Sequence, residues 1–117
     1  DFLDYDDIPI PEITKAEFSE NNKMLEILWS DVSNADGFLV KIVDSEGYEI
    51  STSNGLDSGT NSYTINIVLE DWYTAPESGQ SYSIQVHAFA YEAEYDTGYE
   101  VYNIQEVSIA EESLEWP

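Results

Sequence analysis

This chain contains no cysteine and no arginine, and only one histidine and one methionine. Without thiols there is no disulfide, no thiolate metal site and no cysteine nucleophile, although a lack of cysteine does not by itself fix the compartment. Positive charge is almost missing as well. Lys15, Lys23 and Lys41 are the only basic residues against 25 acids, which leaves a net charge of −22. A field of that sign repels phosphate backbones and anionic lipid headgroups, so neither nucleic acid nor a bare membrane surface is an expected partner. No apolar run approaches the ~18 residues of a membrane-spanning helix. The opening residues lack the basic and apolar segments of a signal peptide, so any export segment is expected to have been removed or to lie outside these residues.

What is present is enough for one folded domain. Apolar residues make up 42% of the 117 positions and aromatics 14%, more than a disordered chain carries. Residues 1–12, "DFLDYDDIPIPE", hold five acids and two prolines and read as an extended acidic leader. Beyond it, short alternating runs are separated by turn residues. "MLEILWS" places Leu25, Ile27 and Trp29 on one face, and "GFLVKIV" does the same with Phe38, Val40 and Ile42. "SYTINIVL" aligns Tyr63, Ile65, Ile67 and Leu69, and "SYSIQVHAFAYE" aligns Tyr82, Ile84, Val86, Ala88 and Ala90. "EVYNIQEVSIA" closes the domain, with Val107 and Ile109 as core candidates. "DSEGYE" and "NGLDSGTN" are turn and loop, and "LEDWYTAPE" has room for a single helical turn before Pro76. The pattern predicts an all-β domain over 13–110, a seven-stranded antiparallel two-sheet sandwich, followed by a tail at 111–117.

Four of these stretches, in order, resemble the fibronectin type III family of immunoglobulin-like sandwiches. They are Leu25-x-Ile27-x-Trp29, Gly37-Phe38-x-Val40-x-Ile42, Ser62-Tyr63-x-Ile65 and Gly79-x-x-Tyr82-x-Ile84-x-Val86-x-Ala88. The resemblance spans residues 9 to 110 and departs between Leu69 and Gly79, where Trp72 and Tyr73 extend a connection that is shorter in the family. It implies that Tyr82 makes a tyrosine corner, its hydroxyl reaching back to backbone ahead of its own strand. The departure also leaves room for a related sandwich, such as those of outer-membrane glycan-uptake lipoproteins. "DFLD" looks like the residues after the lipidated cysteine of Bacteroidota surface lipoproteins, which implies export to the outer-membrane surface with a lipid tether beyond these residues.

The residues that could carry chemistry point away from catalysis. His87 has the parity of Ser83 and Gln85, which puts it on the outer face of its sheet. It lacks a second histidine or a cysteine for a zinc site, and no G-x-S-x-G motif accompanies it. The many carboxylates sit on a small sandwich with no long insertion to form a glycosidase cleft. No enzyme activity and no cofactor are expected. Asp4, Asp6 and Asp7, and separately Glu92, Glu94 and Asp96, are calcium candidates by composition, but neither set matches an EF-hand, and solvated acidic surface is the competing reading. Trp72 either plugs the end of the sandwich or offers a sugar-stacking surface.

Tyrosine offers large contact area at small entropic cost. Leu39, Val43, Phe89 and Tyr91 share an outward parity that Tyr102 and Ile104 extend, and "YEAEYDTGYE" adds Tyr95 and Tyr99 around Gly98. Phe89, Tyr91, Tyr95, Tyr99 and Tyr102 are therefore the expected binding surface. The competing reading is that the chain's own termini cover them, with Trp116 folded back over the patch. The expected function is a non-catalytic adhesion or binding module that meets a protein or a glycan at the cell surface. A structural spacer within a longer extracellular protein and an accessory glycan-binding domain are the alternatives. The charge excess makes a direct prediction. Raising NaCl from about 10 mM to about 150 mM shortens the Debye length from ~30 Å to ~8 Å and should raise the melting temperature in a calorimetric scan.

Overall fold

The computed structural model describes the backbone of residues 8–96 and 99–117, and side chains throughout those ranges except at 91–96 and 99–107. The chain forms β1 (Ile13–Phe18), β2 (Met24–Trp29), β3 (Gly37–Val43), β4 (Glu49–Thr52), β5 (Leu56–Asp57), β6 (Ser62–Asn66), β7 (Ser81–Asp96) and β8 (Tyr99–Glu115). All pairing is antiparallel, in a three-stranded sheet β1-β2-β6 and a five-stranded sheet β4-β3-β7-β8 with β5 also on β3. Among the described residues there are thus eight strands rather than the seven expected. The additional one, β5, is two residues long, too short for alternation to announce it.

The alternating runs meet in one core. Leu25, Ile27 and Trp29 of β2 and Ile65 of β6 are buried against Phe38, Val40 and Ile42 of β3 and Ile84, Val86 and Ala88 of β7. Trp29 and Phe38 pack across the interface at 5.5 Å between ring centroids. Each fully buried Leu, Ile or Phe side chain contributes about 1.5–3 kcal/mol.

Both ends of the described structure, from residue 8 and to residue 117, belong to the body of the domain, and the expected boundaries shift accordingly. β8 continues through Glu115, pairing residues 111–115 with 81–85 of β7, so 111–117 is strand and core rather than tail. Trp116 is buried. Its N–H donates to the Gln80 carbonyl at 2.8 Å, and its own carbonyl accepts from Gly79 at 2.9 Å. Around it stand Phe18, Trp72 and Tyr82, edge to face at 4.9, 5.5 and 5.6 Å, and this aromatic knot closes one end of the two sheets. Trp72 is the plug of the two readings offered for it; its Nε1–H also donates to the Ile67 carbonyl at 3.2 Å. At the other terminus Ile8 and Pro11 are buried, and the Ile8 carbonyl accepts from Ser108 Oγ at 2.7 Å. Glu12 exchanges bonds with Ser30, so the leader joins the domain from residue 8 onward.

Two local expectations also change. β6 stops at Asn66, whose carbonyl and Oδ1 collect the N–H groups of Val68, Leu69 and Glu70. That turn takes the place of the helical turn expected before Pro76, and it leaves Leu69 78% exposed rather than in the core. Ile109 stands opposite His87 on the outer face and is 47% exposed, while its neighbours Ser108 and Ala110 are buried. The side chain of Val107 lies outside the described residues.

The tyrosine corner has the geometry the resemblance implied. The Tyr82 hydroxyl accepts from the Glu77 backbone N–H at 2.8 Å, with the ring buried beside Trp116. Tyr82→Phe keeps that packing but strands the Glu77 donor, so urea denaturation should show a loss of about 1–3 kcal/mol.

Candidate functional site

Hydrogen bonding along β7 changes partway. From Ser83 to Phe89 it is flanked on both sides, by β3 through the register Val43↔Ser83 to Gly37↔Phe89 and by β8. Beyond Phe89, among the described residues, only β8 remains. Ala90 to Asp96 pair with Gln105 to Tyr99 as a two-stranded ribbon continuing past the sheet, roughly 20 Å at ~3.3 Å per residue. The long dimension of the molecule, 51 Å against 28 and 24 Å, accommodates it. The segment "YEAEYDTGYE" is therefore strand up to Asp96 and again from Tyr99, with Thr97 and Gly98 outside the described residues.

A bulge sets the ribbon's register. Ala88 pairs with Ser108 but Phe89 pairs with Glu106, so β8 carries one extra residue, Val107, at the point where the ribbon leaves the sheet. One added residue reverses parity for the whole strand beyond it. Without it, Tyr102 and Ile104 would share the inward parity of Ser108 and Ala110. With it, Ile104 stands opposite Tyr91 and Tyr102 opposite Ala93, on the outward parity of β7. Tyr91, Tyr95, Tyr102 and Ile104 therefore share one register parity. Tyr99, opposite Asp96, belongs to the other, together with Glu92 and Glu94. Of the five expected binding residues, the side chains of Tyr91, Tyr95, Tyr99 and Tyr102 lie outside the described residues, as do those of the calcium candidates Glu92, Glu94 and Asp96. Asp4, Asp6 and Asp7 lie outside them altogether. Among the described residues no group of three or more His, Asp or Glu is placed to hold a metal ion.

Phe89 does not sit on an open surface, and this corrects the expectation for it. It has the outward parity, yet only 2% of it is exposed. Its ring lies over Gly37, its partner in the β3 register, so closely that a Cβ there would collide with the ring and with the Leu56 carbonyl. Its carbonyl accepts from the Asp36 N–H at 2.9 Å, tying the strand to the start of β3. Phe89 anchors the root of the ribbon. Val43 is likewise buried and Leu39 half-buried. Trp116 does not cover the patch either; it closes the end of the sheets where β7 begins.

The outer face behind Phe89 is polar but not open. His87 is on the expected face, yet it is 5% exposed, and its Nε2 lies 2.8 Å from Gln85 Oε1. A ring so enclosed and so engaged suits a structural role. Nearby, Lys41 Nζ donates to Glu49 Oε1 at 3.0 Å and Thr52 Oγ1 donates to Glu49 Oε2 at 3.0 Å. These bonds, with the charges of Lys41 and His87, hold the Glu49 carboxyl below its ordinary value against the opposing effect of partial burial. Comparison of the sequence with family models and with curated proteins finds no match.

The Glu49 shift has a definite sign in stability. A carboxyl whose pKa is lower folded than unfolded adds stability above the unfolded value, and that stability is lost as pH falls through the folded one. Titrating wild type and Glu49→Gln from pH 7 to pH 3 in urea should show a smaller loss of stability on acidification in the variant.

Proposed function

We propose that this chain is a non-catalytic binding module of the fibronectin type III kind, which engages a protein or glycan partner through the β7–β8 ribbon. The observation that carries the reading is the ribbon itself. Seven residues of β7 and seven of β8 are paired only with each other in the described structure, and their register brings Tyr91, Tyr95, Tyr102 and Ile104 to one parity. Isolated two-stranded ribbons are marginally stable in water, and one retained at the margin of a well-packed sheet is suited to completion by a partner.

The family reading draws support from strand order. β7, in the place of strand F, is flanked by β3 and β8 in the places of C and G, while β2 pairs with β1 and β6 across the core. The Tyr82 hydroxyl bond is the corner expected of this class. A scaffold role for His87 is supported by its burial and its bond to Gln85. Display at the cell surface on a lipid tether, and a Bacteroidota origin, extend the proposal from the "DFLD" leader and the acidic composition.

A glycan array, together with a surface-protein panel, tests the assignment using the full chain and a Tyr91→Ala, Tyr102→Ala variant. Wild type should bind a member of one panel, and the variant should lose about tenfold or more in affinity at unchanged melting temperature. Neither protein should turn over simple esters, peptides or glycosides. A variant that keeps full affinity removes the ribbon from the site. Turnover that disappears in His87→Ala replaces the module with an enzyme.

A further inference from the structure

A second surface lies on the opposite side of β8 from β7. Between the end of the leader and β8 runs a groove of about 460 Å³. Its apolar part is Ile10, Ile13 and Ile109, and its charged part is Glu12, Glu111 and Glu112. Ile10 is 68% exposed and Ile109, across the groove, is 47% exposed. The floor is a strand edge. β8 pairs with β7 along one side, and among the described residues no backbone hydrogen bond reaches residues 109–112 from the other. The leader comes alongside through the Ser108–Ile8 bond, and the Glu12 carbonyl accepts from Ser30 rather than from β8.

Open edges of this kind take an added strand, whose main chain supplies affinity and whose alternate side chains supply specificity. Charge decides which strand. Three carboxylates line the groove with no cation among its lining residues, and two of the chain's three lysines are paired elsewhere, Lys15 with Glu26 and Lys41 with Glu49. A second copy of this chain would bring its own −22 to the same edge, and the leader residues preceding Ile8 are themselves acidic, so both are repelled. We infer that the β8 edge at residues 109–112, with the Ile10–Ile109 groove, binds an extended Lys/Arg-bearing segment of another protein by strand addition.

The register of such a partner follows from β8. Ile109 and Glu111 share one face and Ala110 and Glu112 the other, so the order along the edge is two apolar or small positions and then two acids. An antiparallel partner would therefore read, from its N-terminus, two cations followed by two apolar residues. This site is separate from the ribbon, and its test does not depend on the ribbon's partner.

The probe is a fluorescent peptide with a central Lys-Lys-Val-Ile, titrated with the full chain by anisotropy. A peptide with Glu-Glu in place of Lys-Lys and one N-methylated at alternate backbone positions serve as controls. Wild type should bind the first and neither control. Glu111→Lys combined with Glu112→Lys should weaken binding by about tenfold or more without lowering the melting temperature, because it reverses both charges at the rim. Equal binding of the N-methylated peptide would mean charge attraction without strand addition, and would overturn the inference. Absence of wild-type binding, or full affinity in the reversed variant, would overturn it as well. So would a concentration-dependent dimer that excludes the peptide in ultracentrifugation, which would assign the edge to a second copy.

Discussion

β7 has two hydrogen-bonded neighbours as far as Phe89 and one beyond it, and the arrangement of the molecule follows from that change. Where both neighbours are present, its inward residues Ile84, Val86 and Ala88 are held against β2 and β6 and the core is continuous. Where β3 begins, at Gly37, the Phe89 ring lies over the glycine and the Asp36 N–H donates to the Phe89 carbonyl. Those contacts finish the sheet at a defined position. What continues past them is a ribbon with no third strand in the described structure, and it is the part of the fold that a partner could complete.

The two ends of the domain are built on different principles. At the start of β7, Trp116, Trp72, Phe18 and Tyr82 form an aromatic knot, fastened by the Gly79–Trp116 and Trp116–Gln80 backbone bonds and by the Tyr82–Glu77 corner. Large apolar area and satisfied polar tips make that end a stability element. At the other end, among the described residues, Phe89 and Ala90 are the buried residues of β7 at the ribbon's root.

Charge shapes both proposed surfaces. With no arginine and three lysines, the molecule cannot neutralise its own acids, and Lys15 and Lys41 are engaged in ion pairs at 2.6 and 3.0 Å. Acids on open strand edges also discourage edge-to-edge pairing between copies, since like charges meet at short range. Glu111, Glu112 and Glu115 on β8 act in that way, and the same carboxylates would attract a cationic strand.

Period-two alternation was enough to identify the inward residues of β2, β3 and the first half of β7, because which face a side chain takes is a local property of an extended chain. The same locality put His87 on the outer face, whereas the corner at Tyr82 was implied by the family resemblance and not by alternation. It failed where a distant segment decides the outcome. Phe89 has outward parity, but the start of β3 places Gly37 beneath its ring. Residues 111–117 look like a tail, but β7 pairs with 111–115 and the aromatic knot accepts Trp116. Ile109 looked like core from its apolar neighbours, yet the β7 register turns it outward. Tyr102 and Ile104 do take the outward parity expected of them, but the extra residue at Val107 is what puts them there, and a bulge exists only in the pairing of two strands. Composition and alternation thus determined an all-β, acidic, single-core chain. Strand register, the bulge and the covering of one segment by another were decided by tertiary structure alone, because each depends on contacts between residues far apart in sequence.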